Sequence, residues 1–336
     1  MRRICRILEV ALLAAAVAPA TFAAETETES GKSGGGTFFA GVDIDNQDSH
    51  RLTAGVTHLS AGGTSFELIG VRSEIDSDSL SLSSTYAHGL LGHDFGDLGF
   101  AAGLRHLSDD SFADTLGLFG AAFLDFSGSR LTATIESRDT DFEDTEFTAS
   151  GEELDLEGIT SASGIASCSV ASLGYGLRLE VIRTKWSFYA SGTAFDYSSH
   201  ECTATITETT EGSGPGPPVT APVNVRVPSV VSRVVSGVGG GFAGYSARLV
   251  PRDGSLLESS VMAGASFALG SRYVLGFEVY GDSEEFAEAQ TTTALAYFEF
   301  RATPQFSVTL TAGGTESDAL DSSVFAGVRL ARHFGR

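Results

Sequence analysis

From Thr37 onward, apolar residues alternate with polar or small ones at a period of two. In LGFAAGLRHL, Leu98, Phe100, Ala102 and Leu104 alternate with Gly99, Gly103 and Arg105. In RLTATIESR, Leu131, Ala133 and Ile135 alternate with Arg130, Thr132, Thr134, Glu136 and Arg138. TALAYFEFRA sets Ala294, Ala296, Phe298 and Phe300 against Tyr297, Glu299 and Arg301, and SVFAGVRLARHF sets Val324, Ala326, Val328 and Leu330 against Gly327, Arg329 and Ala331. Successive side chains of a strand point to opposite faces, so each run predicts a strand with one apolar face. Each run spans about 9–13 residues and is followed by a turn.

The connections alternate between two kinds. Tight ones occur at 61–63, 127–129, 184–185, 270–271 and 303–305, whereas longer, acidic ones occur at 45–50, 74–79, 108–114, 139–167, 199–222, 281–289 and 315–322. A half-buried soluble sheet shares the residue alternation, but not this parity of connections, which a transmembrane barrel requires. Closing the sheet on itself also pairs every backbone group that faces hydrocarbon. The sequence therefore predicts an all-β, antiparallel, up-and-down transmembrane β-barrel over residues 37–334 with about sixteen strands. The stretch 223–250 is open to two readings, as two strands or as part of a long loop that leaves fourteen.

Residues 1–23 have the form of a cleaved signal peptide: Arg2, Arg3 and Arg6 precede an apolar run from Ile7 to Ala20, and Cys5 lies ahead of that run. Residues 24–36 are polar and Gly-rich, as in a flexible entry segment. The formal charge is −22, and removal of three arginines and one glutamate with residues 1–23 makes it −24. That balance excludes a nucleic-acid partner.

Taken together, these features resemble a bacterial outer-membrane β-barrel of porin-like type. Barrels of that class usually end in an aromatic residue; here Phe334 is followed by Gly335 and Arg336. The resemblance implies a Gram-negative outer membrane, contact with its lipids and lipopolysaccharide, insertion by the barrel-assembly machinery, and compatibility with a homo-oligomer.

Charged residues on the inward faces must line the lumen, because in hydrocarbon each would cost several kcal/mol. The candidates are Asp43, Arg105, Arg130, Glu136, Arg178, Glu180, Arg248, Glu278, Glu299, Arg301 and Arg329. Such a lumen suits passive diffusion of small hydrophilic solutes across a transverse field; Arg–carboxylate pairs that close it would instead give a structural barrel. A translocator barrel of the autotransporter kind is a further alternative, for which residues 24–36 leave no room for a passenger.

A third alternative is enzymatic. His106 and Ser108 share an outward face and Asp114 opens the next strand, a nucleophile–base–carboxylate set. His-x-Ser resembles the motif of outer-membrane phospholipases and lipid A deacylases, although Asp109 follows Ser108 where that motif usually has Asn, and His58 and Ser60 repeat the dipeptide spacing at the opposite end. No zinc-type Cys/His spacing or phosphate loop occurs, so no metal or cofactor is expected. The nine carboxylates of 139–157 lack the regular spacing of a calcium loop.

Cys168 and Cys202 are the two cysteines beyond the signal segment, at the outer ends of a predicted hairpin turning at Thr184-Lys185, and they predict a disulfide. Symmetry about Lys185 makes paired residue numbers sum to 370, whereas matching the lipid faces, Val181 with Phe188 and Leu179 with Ala190, makes them sum to 369. A one-residue bulge above the membrane reconciles the two.

Overall fold

The computed structural model describes residues 34–46, 49–77, 80–109, 113–150, 159–197, 201–211, 214–215, 222–226, 257–284, 290–318 and 322–335. The signal segment lies outside them. The strands are β1 (Gly35–Asp45), β2 (His50–Leu59), β3 (Thr64–Ser77), β4 (Leu80–Asp94), β5 (Leu98–Asp109), β6 (Ala113–Phe126), β7 (Ser129–Ser150), β8 (Ile159–Ile182), β9 (Trp186–Tyr197), β10 (Glu201–Glu211), β11 (Gly214–Pro215), β12 (Pro222–Arg226), β13 (Leu257–Ala268), β14 (Tyr273–Glu284), β15 (Gln290–Thr303), β16 (Phe306–Ser317) and β17 (Ser323–Phe334).

Fourteen of these close a ring. Strands β1 to β9 pair in sequence, β9 pairs with β13, β13 to β17 pair in sequence, and β17 returns to β1, all antiparallel. Of the two strand counts, fourteen is the one found, and the expected sixteen is corrected. Residues Trp186 to Ala194 of β9 lie opposite Phe267 to Ser259 of β13, so nothing is inserted between them. Tyr197 fastens the top of that seam by donating its hydroxyl to the Leu257 carbonyl at 2.7 Å. Residues 222–226 pair with β10 outside the ring, and 227–256 lie outside the described residues.

A second correction concerns 139–167, expected as a loop. Strand β7 has 22 residues and β8 has 24, about twice the ~9–11 that cross a membrane. Their outer halves continue as a ladder from Thr145–Ala166 to Ser150–Ser161, and β10 and then β12 add to it. These segments carry Thr, Ser, Asp and Glu without an apolar face, so no alternation marked them as strands. Above the membrane, backbone pairing needs no apolar face.

At the other end the turns are tight. Ser127 and Gly128 (φ 47° and 74°) link the opposed pair Phe126–Ser129 in the left-handed geometry of a type I′ hairpin. In outer-membrane barrels the short-turn end faces the periplasm.

The two faces differ in kind. Leu68, Leu91, Leu104, Leu118, Leu177 and Val261 are each more than half exposed, and all lie on the outward phase. An apolar band of that extent is excluded from water and belongs in lipid. Its short-turn margin carries aromatics, with Tyr273 stacked on Phe298 and Phe300 (centroids 5.7 and 5.4 Å) and Trp186 and Phe188 exposed nearby. No helix among the described residues is long and apolar enough to cross a membrane; strands make the crossing.

The β8–β9 hairpin follows the lipid faces. Val181 opposes Phe188 and Leu179 opposes Ala190, a sum of 369, up to Ser172–Tyr197. Higher on β8, Cys168 stands opposite Cys202 of β10, a sum of 370. Between those two pairs, β8 advances four residues and the other side five. The extra residue is the one-residue offset that the sequence required.

Candidate functional site

The inward phase gathers the charges. Asp43, Arg105, Arg130, Glu136, Arg178, Glu180, Glu278, Glu299, Arg301 and Arg329 all lie on the strand phase opposite the exposed apolar band, and each is at least partly buried. Arg248 lies outside the described residues.

The densest group spans three strands. Glu136 accepts from Arg105 Nη1 (2.9 Å), from Arg138 Nε (2.9 Å) and from Arg138 Nη2 (3.3 Å). Arg105 on β5 and Arg138 on β7 both stand opposite Gly117 of β6. The bridge therefore passes over a strand position without a side chain; a Cβ there would lie 2.9 Å from Glu136 Oε1. Side-chain exposure is 3% for Arg138 and 7% for Glu136, so the centre of this network is buried.

Other pairs follow the same rule of opposite charge at neighbouring positions. Asp43 directly opposes Arg51 (Oδ2 to Nε 3.5 Å), and Arg130 donates to Asp125 through both Nε and Nη2 (2.7 and 2.6 Å). Arg178 lies 3.8 Å from Glu180, Arg301 Nε donates to Glu299 at 2.8 Å, and buried His88 lies 3.2 Å from Glu67.

A repeated unit went unnoticed in the sequence: arginine, aromatic ring, glycine. Phe119 lies directly opposite Gly103 and covers it, and Arg105 sits over the ring at 4.6 Å. The same arrangement joins Gly99, Phe123 and Arg130, and also Gly174, Phe195 and Arg138. It recurs as Gly264, Tyr189 and Arg178, and as Gly55, Phe39 and Arg329. A Cβ at each of these glycines would overlap the ring. The missing side chain lets the ring lie flat on the wall instead of projecting into the lumen, and the flat ring carries the guanidinium. Its signal is present in the sequence, as inward glycines and inward aromatics, but register alone shows that they are partners.

At the short-turn end lies a cavity of about 310 Å³. Its walls include the β8–β9 turn (Arg183, Lys185, Trp186) and inward residues of β13 to β17, among them Tyr297, Glu299, Arg301 and Arg329.

On the outer wall the structure brings the enzymatic candidates together. Ser108 directly opposes Asp114, and His106 Nε2 lies 2.6 Å from Asp114 Oδ1. Both His106 and Asp114 are about half exposed, just beyond the apolar band at the long-loop end. No hydrogen bond joins Ser108 to His106 among the described residues. No group of three or more His, Cys, Asp or Glu among those residues is placed to hold a metal ion.

Comparison with known proteins adds the fold. No family model matches the chain, and no curated protein matches its sequence. Solved structures do. The Pseudomonas putida toluene transporter TodX shares 9% identity over 89% of each chain at a TM-score of 0.51. A Pseudomonas aeruginosa FadL homologue shares 10% over 90% of each at 0.47, and the KdgM porin shares 7% over 87% of this chain and 97% of its own at 0.39. The fold is that of bacterial outer-membrane β-barrels. At these identities the likeness extends to the fold alone, and the last two scores carry no further argument.

Proposed function

We propose that the protein is a passive outer-membrane channel for small hydrophilic solutes, exported by its cleaved signal peptide. One observation carries this reading: inside an apolar-coated ring of fourteen strands, the inward face is polar and charged, and its largest rings lie flat against the wall. The charges are unequally distributed around the ring. Strands β5 to β8 contribute Arg105, Arg130, Arg138 and Arg178 against Asp125, Glu136 and Glu180. The facing arc is richer in carboxylates, with Asp43, Glu67, Glu278 and Glu299 among them. A solute in the lumen thus crosses a transverse field as it passes the buried Arg105–Glu136–Arg138 network. Planar-bilayer recording of the refolded protein tests this. Steady open-channel current supports it, and persistent absence of current from a barrel shown intact by circular dichroism overturns it.

A Cys168–Cys202 disulfide belongs to this reading. The opposed positions lie within bridging range for antiparallel strands. Both thiols would lose their protons and pass two electrons to a periplasmic thiol oxidant, and the bond would tether β10 to β8 beside the pore mouth. Titration of the mature, unreduced protein should find no free thiol; two free thiols refute the bridge.

The second reading, a lipid hydrolase, is favoured by the His106–Asp114 contact with Ser108 opposite. Asp114 would orient His106, which would take the Ser108 proton as the oxygen attacks an ester of the outer leaflet. Fatty-acid release that disappears in Ser108→Ala is required; release unchanged by that substitution dismisses it.

A further inference from the structure

The cavity at the short-turn end is cationic in a chain that is otherwise strongly acidic. Its described lining carries Arg183, Lys185, Arg301 and Arg329 against the single carboxylate Glu299, a balance of +4 − 1 = +3. Lys185 is one of only two lysines in the chain, and the whole chain has a formal charge of −22. Cations this scarce have converged from a turn and two separate strands onto one concave surface.

They are not equivalent. Arg183 is held by the wall, donating Nη1 to the carbonyls of Gly128 (2.7 Å) and Ile182 (2.9 Å). Arg301 gives Nε to Glu299 at 2.8 Å, and its side chain is 39% exposed. Lys185 is exposed, whereas Arg329 is buried. Ser187, Ser266, Thr309, Thr311 and Tyr297 complete the lining, with Trp186 at the β8–β9 turn on its edge.

We infer that this cavity binds a small organic anion through its carboxylates, with Arg301 and Lys185 as the principal contacts. An arginine edge matches two carboxylate oxygens at once, and a flexible lysine adds a point charge. About 310 Å³ lies at the lower end of the range for small-molecule sites. The aromatic and aliphatic walls suit a carbon-bearing body better than a bare inorganic ion. The inference deepens the channel reading by naming its solute class, and it rests on that reading for the solute's route but not for its binding. An acidic outer approach and a cationic inner mouth would hold such an anion on the periplasmic side.

Trp186 is the only tryptophan and lines the cavity, so its fluorescence reports occupancy without any conduction. The refolded full-length barrel in neutral detergent is titrated with citrate at fixed ionic strength, with inorganic phosphate and glucose in parallel. A saturable change with citrate is expected, weaker with phosphate and absent with glucose. The Arg301→Gln/Lys185→Gln pair should raise the apparent Kd at least about tenfold, the loss of a charged contact or more. Both positions are exposed enough for the barrel to fold, which circular dichroism checks. No saturable change, or equal affinity in the double variant, overturns the site. A barrel that binds citrate yet carries no current overturns the channel and leaves the site standing; current without citrate binding does the reverse.

Discussion

The two ends of the lumen use the same residue types to opposite effect. Toward the long-loop end, Arg105 and Arg138 converge on Glu136 over Gly117 of β6, with Arg138 only 3% exposed. At the short-turn end, Arg301 keeps a single bond to Glu299 and is 39% exposed. Burial makes the first group structural, since removing any member strands a charge in a low dielectric. Exposure makes the second nearly irrelevant to folding, because water and ions screen it. An arginine's identity therefore says little about its role. Its partner count and burial decide it.

The sharpest break in the contrast is Glu136→Gln. It leaves Arg105 and Arg138 buried around a neutral amide and should cost about 3–5 kcal/mol, read as a lower urea midpoint of the refolded barrel. A smaller loss, of about 1–3 kcal/mol, is expected from Gly174→Val, which would push the Phe195 ring off the wall and its Arg138 with it. Single-channel conductance should fall in the same variant, because the displaced ring enters the lumen. At the other end, Gly276→Val should displace Tyr297 into the cavity, weakening citrate binding while single-channel conductance changes less. Smallest of all, Arg301→Gln should move the urea midpoint by no more than about 1 kcal/mol equivalent, as for an exposed ion pair. If Arg301→Gln destabilised the barrel as much as Glu136→Gln, the distinction between the two ends would collapse.

Much of the fold was legible because lipid imposes a simple rule. Every outward position inside the membrane must be apolar, so β5, β15 and β17 declare both their existence and their inward residues. The same rule fixed the β8–β9 register through Val181 and Phe188. Where lipid stops, the rule stops. The outer halves of β7 and β8 pair without an apolar face, so their sequence reads as a loop, and Pro222–Arg226 forms a strand outside the ring. Arg51 and Arg138, omitted from the expected lumen set, acquire their importance only from Asp43 and Glu136 across or along the sheet.

By itself, the sequence determined an antiparallel membrane barrel, its inward and outward phases and the even strand parity, and it left the register beside Cys168 and Cys202 open between two values. These are properties of single strands and adjacent hairpins, set by period-two geometry and the cost of charge in hydrocarbon. Only the tertiary structure decided that β9 closes on β13, that rings lie on directly opposed glycines, and that Lys185, Arg301 and Arg329 share one cavity. Those facts join positions that the chain separates by up to 144 residues, Lys185 to Arg329. They depend on strand register around a closed ring, and no local pattern in the sequence encodes that.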